Sequence, residues 1–439
     1  MSDSQEQNNN EPEDKNPNQS TEEENKEKDE NSSEENPKDN LFQDFNEIKG
    51  ELENLMGNVI SFCPIEIIDA NKEKLEMKHN EKEMYNNFYK KYITNFQKPN
   101  DLTDEYRPPF ANNYYGGVDF PNAETTSLIR GMGWDLIKQI GRKILNGDFN
   151  FTTVSIPIKV MVPISILQHI CNGHFNYPLY MNLAYESNNS LEQMKYTIVA
   201  CISSWYKSNV FLKPLNPILG ETYEMIWEDG SHEYVEQTSH HPPRSHFLII
   251  GNENKWRYYG YFDYTSNGWF NSFKLTNSGS RIAEFNNTKS KIHFDYPVDN
   301  FGNTFWGTMR QESLGNVTFK DLTHGYEAVM KFGIEGKLSD YFEGTIEKDG
   351  EVLSNVKGSY LEYIEIDGER FWDIRRNINI QSYPIKNQIK SSSIYRPDSL
   401  KLLEKDIEGA QEKKDEQENL QRHDRKLRKE WEEKENNNE

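Results

Sequence analysis

The chain has 439 residues, of which 34% are apolar, and a formal net charge of −22. So acidic a chain lacks the broad basic surface of a nucleic-acid-binding protein, and any affinity for anionic lipid must come from a local basic cluster. Its cysteines, Cys63, Cys171 and Cys201, are odd in number and are not spaced as a metal site or a disulfide framework, which favours a reducing, cytoplasmic location.

The N-terminal part of the chain is predicted to be poorly structured. Residues 1–40 hold fourteen acidic and four basic residues and nothing apolar after the first methionine, so they cannot bury enough surface to fold. Helical spacing of apolar residues follows over 41–60 and about 72–97, and prolines and glycines then indicate an irregular connector. We predict a disordered acidic tail over 1–40 and a helical and irregular extension over 41–125, which either forms a small unit or packs on the rest of the chain.

A basic amphipathic segment is predicted over about 127–147. Apolar residues recur on one helical face, and these are Ile129, Met132, Leu136, Ile140 and Ile144. Basic residues are placed to face water, and these are Arg130, Lys138, Arg142 and Lys143. Three glycines weaken the helix by roughly 1 kcal/mol each if they are interior. Such a helix suits a membrane surface or a movable lid; the alternative is an ordinary helix that covers one face of a core.

The middle of the chain predicts no membrane span. The longest apolar run, residues 154–167, is interrupted by Pro157, Lys159 and Pro163 and is too short to cross a bilayer. A further helix is predicted over about 190–207, where Ser190 and Gln193 would form a capping box.

From Glu221 to about Asn377 the pattern changes to short runs rich in aromatic and β-branched residues, separated by turn sequences. The runs include Glu221–Trp227, Trp256–Phe262, Tyr326–Phe332 and Tyr360–Ile366. The turns are Asp229-Gly230, Asn267-Gly268, Asn277-Ser278-Gly279 and Asp349-Gly350. This pattern predicts a mainly β, antiparallel fold, either a barrel or a sandwich. Residues 398–437 are charged and helix-prone, and 431–439 are predicted to be a polar tail.

The most specific signal is the octet Glu236-Gln237-Thr238-Ser239-His240-His241-Pro242-Pro243. We predict that it ends a strand over Ser231–Thr238 and that its two prolines stop the strand pairing there. Neighbouring histidines on a strand point to opposite faces, which is poor geometry for holding one metal ion. At a strand end that turns into a proline-fixed loop, both can instead converge on one anionic group, to which they donate hydrogen bonds.

Three blocks of sequence carry a resemblance to one family. The octet resembles the fingerprint of the oxysterol-binding family, which has Val where Thr238 stands. The block from Lys213 to Thr222, Lys-Pro-Leu-Asn-Pro-Ile-Leu-Gly-Glu-Thr, resembles the family motif that precedes its first long strand. Arg396-Pro397-Asp398, followed by Lys414, Glu418, Gln421 and Arg422, is similar to the C-terminal helix of the family. Steps of four place positions 414, 418 and 422 on one helical face, although a solvated charged face would show the same spacing. The similarity covers about residues 127–430.

The resemblance implies a fold and an activity. It implies a near-complete antiparallel β-barrel around a hydrophobic tunnel, within a lipid-binding domain over 126–430 that also carries the N-terminal lid and accessory helices. It also implies a non-enzymatic carrier without a cofactor, peripheral on membranes, that exchanges phosphatidylinositol 4-phosphate for a second lipid. That second lipid is a sterol in some members and phosphatidylserine in others, and the sequence leaves the choice open.

The resemblance also implies roles for individual residues at the lipid headgroup. His240 and His241 would bind the phosphate on the inositol ring, with help from Arg422. Lys213 and Asn216 would bind the glycerol-linked phosphate. The inositol ring would be contacted by Lys414 and Glu418. A monoester phosphate carries about −1.5 to −2 charges, so paired cations and charge-assisted hydrogen bonds are what such a site needs.

Other functions stay open at this point. A lipid sensor or membrane tether would have the same sequence features as a carrier. A phosphoesterase that uses His240 and His241 would need further ligands, and His232 and His246 have no recognisable metal-site spacing. Residues 41–47 also resemble a short phenylalanine motif that binds an endoplasmic-reticulum receptor; there Phe45 stands where the motif has a small residue, and the start of a helix is the alternative for Phe42–Glu47.

Overall fold

The computed structural model describes residues 81–120, 123, 126–127, 129–131, 157–208, 213–240, 242–269, 271–385 and 388–436. Several predictions concern residues outside these ranges. They are the acidic tail 1–40, the receptor motif at 42–47, the lid positions Met132, Leu136, Ile140 and Ile144, and the second histidine of the pair, His241.

One large antiparallel sheet makes up most of the described chain, so the mainly β fold predicted from the sequence is confirmed. Within the described ranges, only β2 and β3 form a separate pair, and they run parallel. The strands are β1 Val118–Asp119, β2 Met161–Ser165, β3 Lys213–Leu215, β4 Thr222–Trp227, β5 His232–His240, β6 Pro243–Ile250, β7 Trp256–Trp269, β8 Ser272–Asn277, β9 Arg281–Phe285, β10 Lys291–Phe294, β11 Val298–Gly302, β12 Arg310–Asp321, β13 Tyr326–Phe332, β14 Tyr341–Lys348, β15 Glu351–Ser359, β16 Tyr363–Ile366, β17 Glu369–Asp373 and β18 Ser382–Pro384.

The two edges of the sheet lie much closer together than they would in a flat sheet. Its main path has thirteen strands, from β17 at one edge to β18 at the other. Laid flat, twelve strand spacings would separate the edges by about 58 Å. The chain itself runs from Asp373 at the end of β17 to Ser382 at the start of β18, and nine residue steps reach at most about 32 Å. The sheet must therefore bend strongly around its interior.

Most of the hairpin turns lie where the turn sequences predict them. Tyr326–Phe332 is a strand with the predicted bounds. Asp349 and Gly350 have φ values of 54° and 82°, which is the left-handed geometry of a two-residue hairpin turn. The turn predicted at Asn267-Gly268 is wrong, because both residues lie inside β7, which continues to Trp269. The run predicted from Tyr360 begins three residues later, at Tyr363.

Helices pack against one face of the sheet. Tyr177 stacks on Tyr258 of β7 with ring centroids 4.0 Å apart, and Trp205 lies 4.9 Å from Phe332 of β13. The helices are α1 Glu81–Phe88, which continues as a π-helix over Tyr89–Ile93, α2 Ile166–Asn172, α3 Tyr177–Ser187, α4 Ser190–Ser203, α5 Trp205–Ser208, α6 Pro397–Leu403 and α7 Ile407–Asn436. None of the helices in the described ranges combines the length and apolar character needed to cross a bilayer.

The helix predicted over 190–207 ends at Ser203, and its N-terminal cap also differs from the prediction. Its N-cap is Asn189, whose side-chain oxygen accepts from the backbone N–H groups of Leu191 and Glu192 at 2.9 and 3.1 Å. Ser190 and Gln193 therefore form no capping box, and Gln193 donates to Asn287 instead. Asn is as good a cap as Ser, and it stands one residue earlier.

The first described segment packs on the same core as the rest. Phe88 and Ile93 of the first helical segment are buried in the main hydrophobic cluster, together with Ala111 and Val118. Strand β1 pairs with β12, in which Gln311 lies opposite Val118. Residues 81–120 therefore pack on the same core as the sheet. At the other end of the described chain, helix α7 continues past residue 430 to Asn436.

Candidate functional site

Arg396 forms buried ion pairs with Glu221 and Asp398, and we call this group of three residues the arginine clamp. The Arg396 guanidinium is 6% exposed and donates to Asp398 through Nε at 3.0 Å and Nη2 at 2.6 Å. Its Nη1 donates to Glu221 at 2.9 Å and to the backbone carbonyl of Asn216 at 2.6 Å. Burial disfavours the charge on Asp398, but the hydrogen bonds from Arg396 outweigh it and lower the pKa of this carboxyl.

The arginine clamp joins segments that are far apart in the sequence. Ser399 donates to the carbonyl of Pro163 at 2.7 Å, which ties helix α6 to β2. Glu221 accepts from Ser393 at 2.6 Å and from the backbone of Ile218 at 2.9 Å. The Lys213–Thr222 block and the Arg396–Asp398 block, which the sequence analysis singled out separately, are thus parts of one structure.

A charged cluster lies where helix α7 packs against β2 and β3. Ala410 of the helix shares a small buried cluster with Met161 of β2 and Leu215 of β3. One turn later, Lys414 is 6% exposed and donates to Glu418 at 2.6 Å. The other oxygen of Glu418 accepts from Arg422 at 2.9 Å. Lys414 is buried, but Glu418 is partly exposed and Arg422 is 56% exposed, so this face of α7 is enclosed only at Lys414.

Lys213 joins the same cluster from β3. Burial and the positive charge of Lys414 together lower the pKa of its ammonium group to about 8, while Glu418 opposes the shift. Two ammonium groups thus lie within electrostatic range of one carboxylate in a poorly hydrated place. Such a cluster carries net positive charge where charges interact strongly, which suits an anionic ligand.

The Glu236–Pro243 octet lies at the hairpin between β5 and β6, next to the Lys213–Thr222 block. Strand β5 continues through His240, two residues farther than predicted, and Pro243 pairs with His240 as the first residue of β6. The prediction that both prolines stop the pairing is wrong for Pro243, which pairs with His240, whereas Pro242 lies in the turn between the strands. His240 is half-buried at the tip of this hairpin. Thr238 makes a hydrogen bond of 2.7 Å with His246 on the neighbouring strand.

Backbone hydrogen bonds connect the octet to the Lys213–Thr222 block. The N–H of Gly220 donates to the carbonyl of Gln237, and the N–H of Gln237 donates to the carbonyl of Glu221, each at 2.9 Å. The structure thus brings Lys213, Lys414, Glu418 and Arg422 into one cluster. It places Asn216 at the arginine clamp through its backbone carbonyl, and it places His240 at the adjacent hairpin.

The beginning of the lid segment is anchored to the barrel. Arg130 donates to the backbone carbonyls of Asn303 at 2.9 Å and Thr304 at 3.3 Å, and also to that of Gly307. The prediction that Arg130 faces water is therefore wrong, because carbonyl oxygens of the loop between β11 and β12 hold its guanidinium. Ile129 beside it is half-buried.

Other polar groups on these strands have their own partners. His232 lies 2.9 Å from a Glu81 oxygen, and His246 binds Thr238. Among the described residues, no group of three or more His, Cys, Asp or Glu side chains is arranged to hold a metal ion.

Comparison with known proteins gives consistent matches. The family model described as "Oxysterol-binding protein" matches residues 137–389, a range that ends before helix α7. "Oxysterol-binding protein 9" of Dictyostelium discoideum is 28% identical over 288 residues, which cover 59% of this chain and 67% of the relative. Human "Oxysterol-binding protein-related protein 5" is 26% identical over 298 residues, which cover 63% of this chain and 33% of the relative. The chain therefore spans about two thirds of the first relative and one third of the second.

Solved structures match at the level of the fold. The Osh3 ORD from Saccharomyces cerevisiae, in complex with PI(4)P, superposes with a TM-score of 0.57 at 20% identity and covers 66% of this chain and 84% of that one. The Osh1 ORD in complex with cholesterol also has a TM-score of 0.57, at 18% identity, and covers 81% of this chain and 89% of that one.

Proposed function

The chain belongs to the oxysterol-binding protein family, and on that premise we propose that it is a peripheral lipid-transfer protein. It carries one lipid at a time inside the curved sheet and exchanges phosphatidylinositol 4-phosphate for a second lipid between membranes. That second lipid is a sterol or phosphatidylserine. A solved relative bound to PI(4)P and another bound to cholesterol support this proposal at the level of ligand class.

The single observation that carries the proposal is the cluster of Lys213, Lys414 and Glu418. A cluster with two buried ammonium groups and one carboxylate is destabilised by its own net charge, and a phosphate ligand would remove that cost. Lys213 and Asn216 bind the glycerol-linked phosphate in this assignment, and Lys414 contacts the inositol ring. Glu418 accepts from Lys414 and Arg422 and therefore orients both cations.

The inositol-linked phosphate is assigned to His240, His241 and Arg422. It carries more charge than the diester, so it needs more donors. In this proposal the apolar face of the lid, over the tunnel mouth, would consist of Ile129, Met132, Leu136, Ile140 and Ile144. The experiment that tests the function is transfer of phosphatidylinositol 4-phosphate from donor to acceptor liposomes. Binding without net transfer would favour a sensor or a tether.

Reversal of Arg422 should separate a headgroup site from a general membrane-attracting surface. The Arg422→Glu variant loses a charge-assisted hydrogen bond to phosphate. It also places a second carboxylate beside Glu418, whose oxygen accepts from the Arg422 guanidinium at 2.9 Å in the wild type. We expect phosphatidylinositol 4-phosphate binding to weaken by about tenfold or more, because one such bond contributes about 1.5–3 kcal/mol. Binding of a neutral sterol should hardly change.

The matched control is Arg425→Glu, three residues later on the exposed side of the same helix. It should have a small effect that disappears in salt. Equal losses in both variants, measured with the charged and the neutral lipid, would contradict the assignment of Arg422.

The pKa of Lys213 predicts a pH dependence of headgroup binding. A phosphate binds the protonated amine, so affinity should be nearly full at pH 7, about half at pH 8 and roughly a tenth at pH 9. Lys213→Arg keeps its charge over this range and should remove the dependence, because arginine is not deprotonated in proteins. The measurement is headgroup affinity between pH 7 and 9. The same slope in both proteins would show that another group titrates.

A further inference from the structure

The interior of the barrel contains a second buried cation, which the headgroup assignment does not use. Arg281 lies on β9 and is 4% exposed. It points to the same side of the strand as the buried residues Ala283 and Phe285. Its guanidinium lies 4.7 Å from the ring centroid of Phe294 and 4.0 Å from that of Tyr296.

Arg281 has no carboxylate partner in the described part of the chain. One terminal nitrogen donates to the backbone carbonyl of Asp295, and Nε has no hydrogen-bond partner among the described residues. The phenol oxygens of Tyr258 and Tyr296 are likewise buried with no close hydrogen-bond partner among the described residues, although Tyr258 also interacts with Arg281 and Tyr177. A guanidinium stays protonated in proteins, so a full positive charge is held inside the fold by aromatic rings and one carbonyl.

Half-buried polar side chains lie near Arg281 and Tyr264. They are Tyr264 itself, Tyr296 and Asp299. Tyr264 and Tyr296 both lie within electrostatic range of Arg281. Asp299 accepts from Ser313 at 2.7 Å. Half-buried polar groups thus lie close to a buried cation whose Nε has no partner among the described residues.

We propose that Arg281, Tyr258 and Tyr296 form an interior site for the carboxylate of a lipid that lies head-inward in the barrel. This inference rests on the proposed lipid-binding function and names a ligand class for its interior. The Nε–H group and two phenol O–H groups supply three donors around one positive charge, and a carboxylate has lone pairs for all of them. A neutral lipid hydroxyl would satisfy some of the hydrogen bonds and none of the charge.

The test compares oleate with its methyl ester, which has the same chain and no charge. Wild-type full-length protein should bind oleate at least tenfold more tightly than methyl oleate, as measured by competition with a fluorescent fatty acid. Arg281→Met should lose this preference. Arg257→Met, which removes an exposed arginine from the other side of β7 next to Tyr258, should keep it. Equal binding of oleate and its ester by the wild type, or an unchanged preference in Arg281→Met, would overturn the proposal.

A second readout separates a binding role from a structural one. Ligand-free Arg281→Met should resist denaturant better than the wild type, because an apolar side chain replaces a buried charge that lacks an ionic partner. A less stable but folded variant would give Arg281 a structural role and overturn the proposal. If Arg281→Met does not fold, Arg281→Lys decides the question: it keeps the charge without the planar fork and should lower the oleate preference. Extraction of phosphatidylinositol 4-phosphate reports on the proposed function separately, and it should survive in Arg281→Met.

Discussion

The double variant His240→Ala, His241→Ala is expected to extract phosphatidylinositol 4-phosphate from liposomes roughly a hundredfold less well than the wild type, or worse. Each imidazole would lose a charge-assisted hydrogen bond to the phosphate, and each such bond contributes about 1.5–3 kcal/mol. The fold should survive, because His240 is only half-buried at the tip of the β5–β6 hairpin. Lipid extraction by sedimentation of loaded liposomes, with circular dichroism for the fold, measures both effects.

The matched control is His232→Ala, His246→Ala, which removes two histidines from the same pair of strands. These side chains bind Glu81 and Thr238 and are not assigned to the ligand. Their loss should leave extraction near the wild-type level. Normal extraction by the folded His240, His241 variant would remove the octet from the headgroup site.

Arg396→Met should be the most destabilising substitution at the arginine clamp. It leaves the carboxylates of Glu221 and Asp398 buried without their shared cation, and breaking a buried pair in this way costs about 3–5 kcal/mol. The substitution also removes the donor to the carbonyl of Asn216, so the Lys213–Thr222 block should loosen. The midpoint of denaturant unfolding of the ligand-free protein measures the loss of stability.

Arg376→Met provides the comparison for a surface ion pair. Arg376 is 48% exposed and pairs with the 61% exposed carboxylate of Asp101. Exposed pairs of this kind contribute about 0–1 kcal/mol, because water screens them. Similar unfolding midpoints for Arg396→Met and Arg376→Met would mean that the arginine clamp does not stabilise the fold.

Strands were easier to predict than helices in this chain, for a physical reason. Strand β13, Tyr326–Phe332, buries every second residue from Ala328 onward, and such alternation can be seen in the sequence. Helix α3 buries every residue from Tyr177 to Ala184. A helix enclosed on all sides has no polar face, so its sequence lacks the period of 3.6 residues that distinguishes a helix. The sequence analysis therefore missed this helix.

For the charged cluster, only the contacts within helix α7 could be predicted from the sequence. Lys414, Glu418 and Arg422 are four residues apart, and the helix brings them together as that spacing requires. The pairing of Arg396 with Glu221 joins residues 175 positions apart, and no local pattern contains it. Glu221 was noted only as part of the Lys213–Thr222 block and as the first residue of a predicted strand. Its contact with Arg396 depends on the path of the chain, which reaches Arg396 only after the last strand of the sheet.

The pairing of β18 with β4 has a consequence for the order of folding. Most strands pair with a neighbour close by in the sequence, so hairpins can form early at little entropic cost. The pair between Ser382 and Trp227 must wait until the chain between them is largely in place. We expect it to form after the rate-limiting step, so weakening it should speed unfolding more than it slows folding. The lifetime of the enclosed interior would then depend mainly on this three-residue strand.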